Sequence, residues 1–306
     1  MRNVLRAGTR ASALARAQTA IVLHQLRTVT QQAIEVVPIT THGDRDQHTP
    51  LHAIGGQGVF VRALHEALLE GAIDFAVHSA KDLPTDLPSG IALAAILIRD
   101  DPRDAVITRS GQPLAALPPG AQIGTSSSRR MALLRHHLPH LTPVPLRGNV
   151  DTRLRKLDTG EVDAVILAAA GLHRLGLLDR IVTALPPEDF IPAPGQGALA
   201  VTCRMDDAAL QSLLRTLDDP ATRTAVEAER AFLRALGSGC SLPAGAYATV
   251  EGEMVQIVAF LASPEGDRLV RASRRVPVAE ATTAATALAI ALAERLEQPL
   301  EARHAR

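Results

Sequence analysis

Gly71-Ala-Ile-Asp-Phe-Ala-Val77 and Gly160-Glu-Val-Asp-Ala-Val-Ile166 share one pattern: a helix-ending glycine, a turn acid, then a short hydrophobic run. Glycine ends helices because it takes positive φ without a steric cost, and a bounded apolar run of this length reads as a buried strand. Working outward from the first copy, Gly-Gly-Gln-Gly at 55–58 breaks the chain before a helix through 61–69, and β-branched residues 34–39 read as a strand. Further back, a strand at 3–7 leads into Gly8-Thr9-Arg10. Ser12 can then N-cap a helix whose Leu14, Ala17, Ile21, Val22 and Leu26 recur in steps of three and four. The strand–Gly–Thr–helix order returns at Gly124-Thr125. This repetition predicts βαβ units, a mainly parallel sheet and the α/β class. Two readings stay open: reuse of a common unit, or two similarly built α/β domains facing each other across a cleft. In the second, Asp100-Asp101-Pro102-Arg103 is the hinge and the Pro-Ala-Pro-Gly-Gln-Gly run at 192–197 the return crossing. Beyond Asp219, a helix over 223–236, strands at 244–250 and 255–262 and an alanine-rich helix near 278–296 predict a small α+β domain.

The chain has 306 residues, of which 46% are hydrophobic and 21% charged, a globular composition long enough for about two domains. Thirty-two basic residues balance thirty-two acidic ones, which argues against a general polyanion binder. Aromatics make up 2%, with no Trp and one Tyr, leaving few platforms for base stacking. Two cysteines, Cys203 and Cys240, cannot build a disulfide framework and suit a reducing compartment. Arginines at 2, 6 and 10 interrupt any signal-peptide core, and the longest strongly apolar stretch, 91–98, is far short of a membrane span. A soluble, cytoplasmic protein is expected.

Three places can carry chemistry. Gly124-Thr-Ser-Ser-Ser-Arg-Arg130 follows a strand and opens a helix, so amide N–H groups, hydroxyls, the helix dipole and two guanidinium forks are expected to converge. It lacks Walker spacing. Between Gln122 and Lys156 seven Lys/Arg face one acid, Asp151, and the arginines sit at turns and helix starts rather than on one solvated face. A ligand bearing several carboxylates or phosphates suits that excess. Asp82, in His78-Ser79-Ala80-Lys81-Asp82-Leu83-Pro84, lies past the carboxyl end of a buried strand, where open α/β sheets bind ligands; a simple turn acid is the plainer alternative. His78 reads as a packing histidine. Cys240 sits in Gly237-Ser238-Gly239-Cys240, which exposes its sulfur, whereas Cys203 lies in an apolar run and reads as inert. Metal-ligand spacings and a Gly-x-Ser-x-Gly elbow are missing, so neither a metal site nor serine hydrolysis is expected. Residue chemistry alone reaches a cleft enzyme or receptor for a polyanionic small molecule.

RAGTRASALARAQ (6–18), HSAKDLPT (78–85), DDPRDA (100–105), GTSSSRR (124–130), LRGNVDTRLRKL (146–157), AAAGLHRLG (168–176), PAPGQGALA (192–200) and AERAFLRALGSGCSLPAGAYA (228–248) run in an order that resembles the porphobilinogen deaminase (hydroxymethylbilane synthase) family of tetrapyrrole and haem biosynthesis. The resemblance covers nearly the whole chain. It implies two lobes like those of type II periplasmic binding proteins plus a small α+β domain: domain one at 1–98 with 198–217, domain two at 103–192, domain three at 220–306. It also implies a monomeric transferase that joins four porphobilinogen molecules head to tail. Ammonia is released at each step, and hydrolysis finally frees hydroxymethylbilane. The primer is a dipyrromethane cofactor held by a thioether, for which Cys240 matches the attachment position. Asp82 matches the catalytic acid, a carboxylate suited to stabilise cationic pyrrole intermediates and move their protons. Arg10, Arg129, Arg130, Arg147, Arg153 and Arg174 match arginines that hold acetate and propionate arms. Ser12, Lys81, Thr125 and Ser127 match further donors, Asp44 matches a residue that orders the site, and Gln196 lies in the interdomain crossing.

Departures concentrate in one loop. Gln57 stands where the family commonly places Lys, and Ala53 where some members have another, which removes charge from a lid; Phe60, expected over the cofactor, is kept. Ser128 replaces a usual Leu and Ser238 a Gly. Thr202 stands where an acid is frequent. A non-catalytic anion receptor or sensor is the rival class, but it would need an export signal or a helix-turn-helix and leaves Cys240 and Asp82 without a role. An inactive paralogue is the third reading, and Gln57 alone does not establish it.

Overall fold

The structure, a computed structural model, describes residues 4–40, 61–237 and 242–298. Its elements, numbered here in chain order, begin with β1 (Val4–Arg10), α1 (Ala13–Leu26), β2 (Ala33–Ile39), α2 (Arg62–Leu69), β3 (Phe75–Ser79) and β4 (Ile91–Ile96). Then come β5 (Asp104–Thr108), β6 (Gln122–Gly124), α3 (Ser128–His137), β7 (Thr142–Val144), α4 (Val150–Asp158), β8 (Ala164–Ala168), α5 (Ala169–Arg174) and β9 (Thr183–Ala184). The chain closes with β10 (Leu199–Arg204), α6 (Ala208–Arg215), α7 (Pro220–Ala235), β11 (Ala244–Glu251), β12 (Met254–Ala262), β13 (Leu269–Pro277) and α8 (Ala281–Glu297).

The repeated heptad decides between the two readings left open by the sequence. Gly71 and Gly160 take φ of +71° and +79° just past α2 and α4. The amides that follow fold back on the helix, Ala72 N–H onto the Ala67 carbonyl and Glu161 N–H onto that of Lys156, the Schellman closure that glycine permits. Three residues on, the turn acid performs the same task in both copies. Asp74 donates its amide to the Arg6 carbonyl and accepts the Arg6 amide at 2.7 Å. Asp163 donates to the Gln122 carbonyl and accepts the Gln122 amide at 2.9 Å. Each acid thereby sets its strand parallel to the start of an earlier one.

Two five-stranded sheets follow, in the orders β2-β1-β3-β10-β4 and β7-β6-β8-β5-β9. Position by position they are the same sheet: three parallel strands, then one antiparallel strand, then an edge. In each, the antiparallel member arrives from the other half of the chain, β10 after the second sheet and β5 after the first. The chain therefore crosses between lobes twice, through 97–103 and 185–198. This is two similarly built α/β lobes, with the parallel bias expected from βαβ units and one swapped strand in each.

A third, antiparallel sheet, β11-β12-β13, carries α7 and α8 over a core that includes Phe232, Ile257, Leu288 and Leu292. Phe260 and Ala262 of β12 face the other way and join Phe190, Ile191 and Leu133 in the core of the second lobe. The small domain is thus welded to that lobe by apolar contact. Against the first lobe it buries Val226 among Val61, Ala80, Leu83 and Ile96 and adds polar bonds, with Arg230 donating to the carbonyls of Pro84 and Thr85 and Arg234 pairing with Asp86 at 2.9 Å.

Three local features differ from expectation. β1 runs on through Gly8 and Thr9, because a Cβ at Gly8 would stand 2.2 Å from the Ile73 side chain and only glycine lets Ile73 cross there. α7 begins at Pro220, which needs no amide partner in the first turn, while Asp219 caps the Thr222 amide at 2.7 Å. β13 was not anticipated, since its Arg271, Arg274 and Arg275 face solvent and mask the strand period. Among the described residues no helix is long and apolar enough to cross a membrane. Cys203 is fully buried in β10, and burial pushes its thiol up to about 11, consistent with an inert sulfur.

Candidate active site

In the first lobe, the carboxyl ends of β1 and β3 lie side by side. β1 ends at Arg10, and Ser12 caps α1 by accepting the Ala15 amide. Buried Thr19 donates to Thr9 Oγ1 at 2.8 Å, pinning the helix to the strand. β3 gives way to a single tight turn, Ala80–Asp82, closed by the Leu83 amide on the Ala80 carbonyl. That turn swings Lys81 and Asp82 out past the strand end. Asp82 borders a small cavity of about 50 Å³ with Arg10, Ser12, Gln18 and His78. Arg10, Ser12 and Leu14 also line a larger cavity of about 170 Å³, whose far wall belongs to the second lobe: Arg130, Asn149, Asp151, Arg153, Ala168 and Gly171, with Lys81 between. The two pockets thus share a wall, and the site spans the cleft.

In the second lobe, the hydroxyls of the 124–130 turn are spent on the backbone rather than offered to a ligand. Thr125 is buried and accepts the Ser127 amide, Ser126 both donates to and accepts from Leu146, and Ser127 caps α3 through the Arg130 amide. Arg129 and Arg130 are buried and converge on Asp104. Arg130 donates to it at 2.7 Å and to the Ile166 carbonyl at 2.8 Å, and still borders the cavity. Arg129 also donates to the Ile191 carbonyl and lines neither cavity. Burial works to raise the Asp104 carboxyl, but Arg129, Arg130 and hydrogen bonds from Arg130 and Gln196 override it and hold the group far below the usual carboxylate range.

Arg153 donates to the Gly148 carbonyl, and burial together with Arg130 and Arg147 pulls its guanidinium down to about 10. Arg147 has one buried guanidinium nitrogen with no hydrogen-bond partner. Arg174 stands at the hinge, donating to the Gly197 carbonyl and pairing with Asp100 at 3.5 Å. The crossings pass so closely there that a Cβ at Gly197 would lie 2.4 Å from the Asp100 carbonyl oxygen.

The fold therefore gathers Arg10, Ser12, Lys81, Asp82, Arg130 and Arg153 around one cleft. Thr125, Ser127, Arg129 and Arg147 stand behind it, and Arg174 lies at the crossing. Cys240, Asp44, Gln57, Ala53, Phe60 and Ser238 lie outside the described residues. Sequence reasoning passed over Asp104, although an acid opening a buried strand in an arginine-rich lobe was a usable signal. It also passed over Gln18, Asn149 and Gly171, which nothing in their sequence context marks.

Four cations, Arg10, Lys81, Arg130 and Arg153, border the larger cavity against one acid, Asp151. Such an excess, with Arg153 electrostatically crowded and an orphaned nitrogen on Arg147, suits a ligand carrying several carboxylates. Acetate- and propionate-bearing pyrroles fit that description.

Comparison with known proteins places the chain in a family. Residues 5–212 match the porphobilinogen deaminase dipyrromethane cofactor binding domain, and 223–298 match the porphobilinogen deaminase C-terminal domain. Porphobilinogen deaminase 1 of Streptomyces coelicolor is 48% identical over 95% of this chain and 94% of its own. The Syntrophotalea carbinolica enzyme is 47% identical over 96% and 93%, and that of Roseiflexus castenholzii 48% over 94% and 95%. Among solved structures, a periplasmic binding protein of Salmonella typhimurium with high arginine specificity is 14% identical at a TM-score of 0.42, covering 72% of this chain and 94% of that one. Matched across both of its domains and near half identical to relatives over almost its full length, the chain belongs to the porphobilinogen deaminase family.

Proposed function

We propose that the cleft performs the family's reaction, joining four porphobilinogen molecules head to tail with loss of ammonia at each step and releasing hydroxymethylbilane by hydrolysis. The observation that carries this is the placement of Asp82 beside a cavity lined by four cations and one acid. Arg10, Arg130 and Arg153 bind the carboxylate arms, and the Ser12 hydroxyl donates beside them. Because the arms are fixed at several points, each pyrrole is oriented rather than merely attracted. The Asp82 carboxylate, beside the pyrrole N–H groups, stabilises the positive charge created as ammonia departs and accepts the ring proton lost after the new carbon–carbon bond forms. When bound, the dipyrromethane tethered to Cys240 supplies the electron-rich pyrrole carbon that is extended. Arg147 and Arg129 support the arms from behind, Thr125 and Ser127 hold the 124–130 turn, and Arg174 and Asp44 order the site.

We further propose that the domains are 1–98 with 198–217, 103–192 and 220–306, and that the protein works in the cytoplasm as a monomer, without nucleic acid or membrane as partner. Intact-mass measurement of the purified protein tests the reaction reading. A mass excess of one dipyrromethane on the Cys240 peptide, with one ammonia released per porphobilinogen consumed, is expected. Full activity in protein of unmodified mass rejects it.

A further inference from the structure

Only two of the thirty-two basic residues are lysines, Lys81 and Lys156. Lys156 is on an outer helix near Glu161, whereas Lys81 sits in the cleft next to Asp82. A lysine kept where arginine is otherwise the rule has a compact, titratable charge. Its ammonium donates to Gln196 Oε1 at 3.2 Å. The same carboxamide, 1% exposed, donates from Nε2 to Asp104 at 2.8 Å and to the Pro102 carbonyl at 2.7 Å. Its orientation follows from chemistry: an ammonium can only donate, and a carboxylate and a carbonyl can only accept, so oxygen must face Lys81 and nitrogen must face Asp104. The Gln196 backbone is fixed as well, its carbonyl accepting the Arg99 side chain at 2.8 Å. Gln196 is therefore a rigid link from Lys81 in the first lobe to the carboxylate that pairs Arg129 and Arg130 in the second.

We propose that Gln196 is a positioning residue of the reaction, holding the Lys81 ammonium in the cleft beside Asp82 and tying it to the arginine pair of the opposite lobe through Asp104. The inference rests on reading the cleft as the reaction site. The charged groups facing Lys81 are Arg130, Asp82, Asp104 and Arg129, and Arg10, Arg153 and Asp151 line the same cavity. Burial, followed by Arg130, brings the lysine down to about 8. The Gln196 oxygen favours its charged form against that pressure.

The test is pH-dependent acetylation of the purified holoenzyme by acetic anhydride, with Lys81 and Lys156 read separately by peptide mass spectrometry. The high-pH limb of turnover is measured alongside. Gln196→Met keeps length but removes the acceptor, so the Lys81 midpoint should fall by about one pH unit, the size of one lost hydrogen bond to a charged donor. The turnover limb should fall with it, and Lys156 should not move. Gln196→Glu keeps an oxygen facing the ammonium in either protonation state, so its Lys81 midpoint should equal or exceed wild type. An unmoved Lys81 midpoint or turnover limb in Gln196→Met overturns the proposal, as does a lowered midpoint in Gln196→Glu, which alone decides if the Met variant does not fold. Should the wild type consume no porphobilinogen, the reading of the site fails, while the labelling still decides whether Gln196 governs Lys81.

Discussion

Asp104→Asn isolates the electrostatics of the second lobe. Asp104 is fully buried and is the shared counter-ion of Arg129 and Arg130, both below 10% exposed. Asparagine keeps the shape but removes the charge, leaving two guanidiniums in the interior without an acid. Its amide must also present N–H to a neighbour that can only donate, whether an arginine or Gln196 Nε2. Removing one partner from such a buried cluster costs about 3–5 kcal/mol. For a chain of this length that lowers Tm by roughly 5–8 °C. The pH dependence gives a second check. The Asp104 carboxyl is depressed in the folded state, so its contribution is fully present above the unfolded value of about 3.9 and is lost as pH falls below it. Urea unfolding should therefore show a wild-type advantage that is constant near neutrality and narrows by about 1.4 kcal/mol per pH unit below about 3.9. A Tm within about 2 °C of wild type at pH 7, or a gap that stays constant down to pH 3, would refute the assignment of Asp104 as a charged keystone.

Asp82→Asn should retain the cofactor by intact mass and lose most turnover; porphobilinogen consumption near the wild-type rate would remove Asp82 from catalysis. Arg147→Ala should leave the stability of the fold within about 1 kcal/mol, because its buried nitrogen has no partner to lose, while reducing cofactor loading. Unchanged loading and kinetics would place Arg147 outside the site. Burial pushes His65 down to about 4 and, with help from His65, His78 to about 3. The unfolded chain thus binds two protons below about 6.5 that the folded chain refuses, and stability must fall as pH drops from 7 to 5, by roughly 2 kcal/mol per histidine. His65→Leu, which also removes a buried nitrogen without a partner, should flatten that loss in urea titrations; a loss identical to wild type would contradict it.

The two-lobe plan was legible because its signals are local. Gly71 and Gly160 are read by a backbone that needs positive φ, and Asp74 and Asp163 by a backbone amide a few residues away in space. β13 was not legible because its outward arginines obey solvation rather than periodicity. The site divides in the same way. Asp82 could be placed from its position after a buried strand, and Arg10, Arg130 and Arg153 from charge excess at turns. Whether an arginine faces the cleft or the interior depends on where the opposing acid lies, and Asp104 meets Arg129 and Arg130 only after the chain has crossed from β4 to β5. The hydroxyls of 125–127 look like ligand donors in the sequence, yet the 124–130 turn cannot close without them.

Equivalent positions in the two lobes explain how one scaffold yields an asymmetric site. After β3 the first lobe places Lys81 and Asp82; after β8, at the matching strand end, the second lobe places Ala169, Ala170 and Gly171. After β1 the first lobe offers Arg10 and Ser12 to the cleft, whereas after β6 the second turns its hydroxyls inward and buries its arginine pair against Asp104. The first lobe thus carries the acid proposed to act on the reacting ring. The second supplies a rigid cationic wall, and Gly171 lets it approach closely, a Cβ there standing 3.6 Å from the Leu14 side chain of the first lobe. A reaction that repeats on a lengthening chain needs this division, since the acid must act at one point while the carboxylate arms around it increase in number. The matching strand end thus sets no second acid against Asp82, only Ala169, Ala170 and Gly171.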